Sequence, residues 1–418
     1  MDNPPDTGVS EGMETDVIIV GGGLNGPALA LALAQGGLKS VIVDSLPAER
    51  RADPAFDGRA YALSLASRRL FAAIGIWPEV APSAQPILEI KVSDGRAGEG
   101  AAPFFVHFHH GEIEEGPMGH VLEDRFLRRA LLAAIDSAPG ITHLAGMRAV
   151  GQETGGDGAT VTLDDGGKIR GRLVVACDGR QSATAARAGI RRTGWRYGQT
   201  ALVAAIRHER PHGGIAHQFF MPPGPLAILP LPGNRSSIVW TETEAEAARV
   251  HALPPEAYLD HLRPRFGDFL GDIALEGGRF TYPLGLSLAE RFVAPRLALV
   301  GDAAHGIHPI AGQGLNLGLR DVAALAECLV DARRRGEDIG TTGPLREYER
   351  WRRFDTALMA AGTDVVNRLF SNDNPLLRLG RDLGLGVVNA LPGLKRRFIR
   401  EAAGLTGELP RLMKGLPI

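Results

Sequence analysis

The sequence predicts an α/β protein with a parallel sheet assembled from separated segments, an inserted mixed or antiparallel sheet, and a helical C-terminal region. Three observations carry this reading. An apolar run, Val17–Val20, leads into GGGLNG, a helical pattern and a second apolar run that ends at Asp44. A further apolar run at 297–300 leads into GDAAHGIHPIAGQGLNLGLRD, after which Leu315, Leu319, Val322 and Leu325 recur at helical spacing. Between them, at about 197–281, lie the short β-like runs ALVAAI, HQFFM, GPLAILPL and SSIVWTE.

Each element follows in order. The first residues carry prolines and acids where a secretory signal would carry a basic segment before an apolar one. They predict a flexible tail over 1–13. From 17 to 44 the pattern of strand, glycine turn, helix to about residue 35 and strand is a βαβ unit. The stretch ALSLASRRLFAAIGIW, within about 56–77, reads as a helix. Another is expected over 123–135, with Phe126, Leu127, Ala130, Leu131 and Ala134 on one face. Alternation at 159–163 and an apolar run at 173–177 predict two strands. Gly233-Asn234 marks a hairpin between GPLAILPL and SSIVWTE. The α/β pattern returns after Arg296, and 345–418 is mostly helical. A chain of 418 residues suggests two domains. One is expected from 14–80 with 120–190 and 285–340, the other from 81–119 with 195–284.

Composition narrows the function classes. Hydrophobic residues at 44% and charged residues at 22% are ordinary for a soluble globular protein. A net charge of −2 gives no overall field for nucleic acid, so none is expected as a partner. Cys177 and Cys328 are too few for a disulfide framework and fit a reducing, cytoplasmic compartment. No run of about 20 apolar residues predicts a transmembrane helix.

The first glycine motif, Gly21-x-Gly23-x-x-Gly26, sits between a strand and a helix, and Asp44 ends the next strand. There the first glycine permits the tight turn, the second lets a pyrophosphate approach the backbone, and the third lets helix pack closely on sheet. The helix start offers free N–H groups and partial positive charge to the diphosphate, and Asp44 suits an adenosine ribose. Pro27 falls in the first helical turn, where its missing N–H costs at most one bond. A second turn, Asp178-Gly179 in VVACDGRQS, also follows an apolar run. In the third, Asp302 can accept from sugar or ribityl hydroxyls, and the N–H groups of Gly312, Gln313, Gly314, Leu315 and Asn316 precede a helix. An isoalloxazine ring that becomes anionic on reduction is a suitable partner, because fixed N–H donors act most strongly where charge develops. His305 and His308 are spaced like a pair of metal ligands, but no nearby cysteine or carboxylate cluster completes a site, so no metal is expected.

These pieces resemble the ubiquinone-biosynthesis hydroxylases, a branch of the single-component FAD aromatic hydroxylases that includes p-hydroxybenzoate hydroxylase. The resemblance rests on GDAAHGIHPIAGQGLNLGLRD, GGGLNG, FDGRAYALSLASRRLFAAIGIW and CDGRQS in that family, supported by MGHVLEDRFLRRAL and FFMPPGPLAILPLP, and covers about 14–360. It implies a discontinuous Rossmann-like FAD-binding domain of the glutathione-reductase-like type, with the inserted sheet forming the substrate domain. It further implies that Asp302 binds the ribityl or pyrophosphate region, Pro309 lies beside the ring, and Gly312 to Asn316 hold the pyrimidine edge. Arg59 would face the cofactor where the pyridine nucleotide enters, and Asp178-Gly179 would serve the diphosphate. Where such hydroxylases usually place Arg, Gln or Asn against FAD, this chain has Asp124, with Arg125 as a candidate cofactor contact.

The implied reaction is hydroxylation of a polyprenylated phenol by way of a flavin C4a-hydroperoxide, with molecular oxygen consumed and NAD(P)H as a transient electron donor. No protein nucleophile is required, and the phenol-deprotonating base is not identifiable from the sequence. Other ubiquinone-biosynthesis proteins are implied partners. The basic run LKRRFIRE (394–401), with Leu394, Phe398 and Ile399 on one side, suggests peripheral contact with the inner membrane. A soluble aromatic substrate, a flavin oxidoreductase without oxygen transfer, and a non-enzymatic flavoprotein scaffold remain alternatives.

Overall fold

The computed structural model describes residues 12–55, 58–96, 98, 100–113, 115–307, 313–370 and 391–418. Its central sheet has the order Val293–Ala294, Leu297–Leu299, Leu173–Ala176, Val17–Val20, Ser40–Asp44, Ile141–Ala145. Every pair is parallel except the edge hairpin. The middle strands are apolar throughout and buried on both faces, which is the pattern a helix-covered parallel sheet demands. Helix Asn25–Gln35 carries buried Leu and Ala along most of its length because it is wedged between this sheet and helix Gln313–Arg334. Strand order reverses between Val17–Val20 and Leu173–Ala176, so a crevice opens at the carboxyl ends of these strands.

Pro27 is the third residue of its helix, a position whose N–H has no intrahelical acceptor in any sequence. The helix expected within 56–77 is in part a strand: Ala60–Ser64 pairs antiparallel with Gly119–Glu123, and helix Leu65–Ala73 begins only after it. Alternation explains the difference. Ala60 and Ala62 pack toward one apolar cluster and Leu63 toward another, while the Ser64 side chain accepts from the Ser67 N–H and caps the helix. The helix expected over 123–135 is Asp124–Ser137. Residues 1–11 of the expected tail lie outside the described residues, and Met13–Glu14 forms a short strand beside Lys168–Gly171.

The inserted sheet has eight strands, in the order Gly100–His109, Glu89–Arg96, Ile215–Met221, Gly224–Leu231, Arg235–Thr243, Arg192–His208, Ile273–Ala289, His305–Gly306. Only Ile215–Met221 with Glu89–Arg96 is a parallel pair. The expected hairpin at Gly233-Asn234 is present, with Gly233 at φ 78°. Two helices that the sequence reading did not anticipate, Glu244–His251 and Pro255–Phe266, cover one face of this sheet; Thr243 caps the first through the Glu246 N–H.

Helix Thr342–Phe370 follows, and its Tyr348 hydroxyl donates to the Leu299 carbonyl at 2.7 Å. The basic run forms helix Pro392–Ala402. Of its expected apolar side, Ile399 is covered by the chain itself. Ile399 is buried among Ile87, Val121 and Ala205, and Lys395 and Arg400 pair with Glu112 and Glu115; Phe398 stays half exposed. Among the described residues no helix is long and apolar enough to cross a membrane.

Candidate cofactor and active site

Three glycine loops leave the adjacent ends of strands Val17–Val20, Leu173–Ala176 and Leu297–Leu299. Gly21 has φ 114°, and a Cβ on it would lie 2.3 Å from the Cys177 carbonyl oxygen, so the first two loops touch through bare backbone. A Cβ on Gly26 would lie 2.1 Å from the Gly21 carbonyl oxygen, which is the close helix approach expected of the third motif glycine. Gly23, Gly179 and Gly314 behave differently: a Cβ on any of them would meet nothing within 4 Å. These three glycines therefore border open space, whereas Gly21 and Gly26 are packed against backbone. The sequence reading missed two contacts here. Gly22 is tight because a Cβ would lie 2.3 Å from Asp44 Oδ2, and Asn25 fills the space that side chains on Gly301 and Gly318 would need.

Asp44 is 1% exposed, and its carboxylate receives Arg51 Nε at 2.6 Å, Arg51 Nη2 at 2.8 Å and the Leu46 N–H at 3.2 Å. Arg51 was invisible in the sequence because it comes from a four-residue helix, Ala48–Arg51, in a polar connection. Asp124 is fully buried, and its Oδ2 pairs with Arg128 and with Arg59 at 3.2 Å. The residue that departs from the family pattern is thus a counter-ion for two arginines. Arg125 donates to Glu123 at 2.7 Å and to the Pro54 carbonyl at 3.0 Å, and lies over the Phe126 ring.

The second turn is self-capped: Asp178 accepts from the Ser182 hydroxyl and from the Thr184 N–H, holding Gly179 at φ 82°. Asp302 keeps 48% of its side chain exposed, with Arg180 Nε 4.0 Å away. Arg192 fastens the same loop from below by donating to the Asp302 and Ala303 carbonyls. Burial lowers the Arg192 guanidinium from its ordinary pKa, and Asp302 opposes that shift.

Behind this loop lies a buried ionic cluster centred on Asp321. Its Oδ2 accepts from the Gly301 N–H at 2.9 Å and bonds His305 Nε2 at 2.5 Å, and its Oδ1 accepts from Arg352 Nε at 2.8 Å. Burial pushes the Asp321 carboxyl up, yet the charges and hydrogen bonds of His305 and Arg352 outweigh it and hold the carboxyl below its usual value. His305 therefore shapes the loop. His308, Pro309 and Gly312 lie outside the described residues.

Helix Gln313–Arg334 places Gln313, Gly314 and Leu315 at its described N-terminal end. The Asn316 side chain has a task of its own, beside the one expected of its backbone N–H. It accepts from the Ser64 N–H at 2.9 Å and the Ser67 hydroxyl at 2.8 Å, and donates to the Ala62 carbonyl at 2.9 Å, so it pins the helix start to strand Ala60–Ser64. Asn316→Ala leaves the buried Ser64 N–H without its acceptor and the Ser67 hydroxyl with only Ser64 Oγ, 3.1 Å away, and is expected to cost about 1–3 kcal/mol, read as a lowered urea midpoint with unchanged slope.

Three backbone loops around open space, at the switch point of a parallel sheet, define a dinucleotide-binding α/β protein. The model of the FAD binding domain family matches residues 14–353. The chain is 48% identical over 406 residues to the ubiquinone hydroxylase UbiL of Rhodospirillum rubrum, covering 96% of this chain and 93% of that one. It is 35% identical to the 3-demethoxyubiquinol 3-hydroxylase of Escherichia coli, over 94% and 99% of the two chains. Among solved structures, p-nitrophenol 4-monooxygenase PnpA of Pseudomonas putida DLL-E4 superposes with a TM-score of 0.78 at 18% identity, over 95% and 99% of the two chains, and so shares the fold. The chain belongs to the ubiquinone-biosynthesis branch of the FAD-dependent hydroxylases. It is a FAD-dependent monooxygenase.

Proposed function

We propose that the chain hydroxylates a polyprenylated phenol on the path to ubiquinone, consuming molecular oxygen and taking electrons from NAD(P)H. The observation that carries this is how the Asp302 loop is held. On one side Gly301, at the end of the parallel sheet, is anchored to helix Gln313–Arg334 through Asp321; on the other, His305–Gly306 is a strand of the eight-stranded sheet. The face of that sheet turned toward the loops is apolar, with Ala201, Val203, Val239, Phe280 and Leu284 together. A ring held by the loops would face this apolar wall, which suits an apolar phenol.

When bound, FAD supplies the electron transfer and oxygen activation. The chain's residues do the rest. Gly23 and the Asp178-Gly179 turn would leave room for the diphosphate, Gly21 and Gly26 would let the backbone around it pack closely, and Asp302 would accept from the ribityl chain. The N–H groups of Gln313, Gly314 and Leu315 would stabilise negative charge at the ring edge. Asp44, oriented by Arg51, would meet the ribose; Arg59 and Arg125, tethered by Asp124 and Glu123, are candidates for anion contact. The segments 14–80, 120–190 and 285–340 would act as the cofactor domain, with the eight-stranded sheet as the substrate domain. The relatives' names favour a prenylated phenol over a soluble aromatic. Peripheral contact with the inner membrane would use helix Thr342–Phe370, whose Phe354, Leu358 and Val365 are 73%, 63% and 61% exposed.

The test is a lipid-quinone profile of cells lacking the gene, with and without its restoration. A fall in ubiquinone with accumulation of a prenylated phenol one hydroxyl short is the expected result. An unchanged quinone pool, in cells without a second hydroxylase, would overturn the ubiquinone assignment.

A further inference from the structure

The second face of the eight-stranded sheet extends beyond its helical cover. Period-two alternation puts Leu202, Leu226, Ile228, Ile238 and Trp240 on the face away from the glycine loops, where helices Glu244–His251 and Pro255–Phe266 cover them. The strand register carries this face outward in two rows. Trp240 is paired with Leu226, then Phe219, Ser93 and Phe105; Ile238 with Ile228, then His217, Lys91 and His107. The helix stops at Phe266, but the sheet does not. A cavity of about 630 Å³ remains between these outer strands and the turn 266–270.

The polar groups in this cavity have unusual surroundings. Ser93 is 3% exposed, and its hydroxyl has no hydrogen-bond partner among the described residues. A buried unpaired hydroxyl costs about 1–3 kcal/mol, so native structures rarely leave one without a reason. His217 packs against Phe219 and Phe269, with ring centroids at 5.7 and 4.5 Å, and Phe269 stacks on Phe266. Burial, helped by the Lys91 charge, brings the His217 pKa down to about 4, so the imidazole is neutral at physiological pH and offers one donor and one acceptor. The nearby guanidinium groups are already answered: Arg263 by Asp260 and Glu256, Arg265 by Glu242. Phe105 and Phe269 remain 43% and 38% exposed at the rim.

Aromatic walls, a neutral imidazole and an unsatisfied hydroxyl suit one ligand chemistry. We propose that this cavity is a second binding site, on the far side of the sheet from the cofactor loops, for an uncharged planar ring carrying a hydroxyl or carbonyl oxygen. Ser93 and His217 hold the oxygen, and Phe219 and Phe269 hold the ring. The site is independent of which phenol the enzyme hydroxylates.

The test is equilibrium dialysis of 2-naphthol, uncharged at neutral pH, against the FAD-loaded full-length protein, with the flavin absorption spectrum recorded in parallel. A class of binding that leaves the flavin spectrum unchanged is expected. Ser93→Trp fills the cavity and should abolish that class. His217→Leu should weaken it about tenfold, the equivalent of one hydrogen bond. Flavin content and melting temperature report whether each variant is folded, and if Ser93→Trp is not, His217→Leu decides alone. Naphthalene-2-sulfonate should bind more weakly than 2-naphthol. Spectrally silent binding that is absent, unchanged in a folded variant, or tighter for the sulfonate overturns the proposal.

Discussion

Gly21→Ala is expected to yield protein without flavin. The added methyl would lie 2.3 Å from the Cys177 carbonyl oxygen and 2.8 Å from the Asp178 nitrogen, and both are backbone atoms that no side-chain rotation can move. Alanine at φ 114° adds about 1–2 kcal/mol of its own. The strands must separate, and the loops that meet there separate with them. Gly23→Leu is the informative contrast. Nothing of the protein lies within 4 Å of a Cβ at that position, so the fold should be unaffected, with a melting temperature near that of the parent. The side chain would instead enter the space assigned to the cofactor, and FAD affinity should fall by about 100-fold or more, roughly 2.7 kcal/mol. Flavin retained per polypeptide after gel filtration reads both. A Gly23→Leu protein that keeps its full flavin complement would show that this space is not the cofactor's.

Asp321→Ala is expected to have the largest effect on stability. It removes the partner of His305 and of Arg352, whose side chains are 0% and 1% exposed, and the acceptor of the Gly301 N–H. Breaking a buried pair by deleting one member costs about 3–5 kcal/mol, because the remaining charge has no water to replace it. Asp355, at 3.0 Å from Arg352 Nη1, offsets part of that loss. Calorimetry should show a lower melting temperature, and the loop that carries Asp302 should lose its order and with it flavin. The pH dependence has a definite sign. The Asp321 pKa is held down in the folded state, so its contribution is present above the unfolded value of about 3.9 and is lost as pH falls below it. The Asp321→Ala protein should show a smaller drop in stability over that acid range than the parent. A melting temperature equal to the parent's would contradict the role given to this cluster.

Three strands of the parallel sheet, Val17–Val20, Leu173–Ala176 and Leu297–Leu299, were legible because each is a short apolar run leading into a glycine turn, whereas Ile141–Ala145, with its polar Thr142 and His143, was not read as a strand. The stretch 60–64 was misread because its alternating small and apolar residues are followed directly by a helical pattern, and only the Ser64 cap separates the two. At the site, the glycines were readable because conformational freedom is written in residue type. The partners of the charged residues were not. Arg51 reaches Asp44 across 7 positions, but Asp321 reaches His305 across 16 and Arg352 across 31, and Asn316 reaches Ser64 across 252. Such pairs are set by tertiary packing, which no local pattern specifies. The same limit hid the cavity near Ser93, since only strand register brings Ser93 beside Phe219.

The most direct test of the central claim is isotopic. Membrane-containing extract from cells lacking the gene, holding the accumulated prenylated phenol, is given NAD(P)H, the purified FAD-loaded protein and isotopically heavy oxygen gas, and its lipids are weighed by mass spectrometry. The account predicts that the phenol gains one heavy oxygen atom, and that the gain is lost when Gly23→Leu protein is supplied in place of the parent. A phenol that stays unchanged while FAD-loaded protein and NAD(P)H are both present, or a new hydroxyl whose oxygen is not heavy, would contradict it.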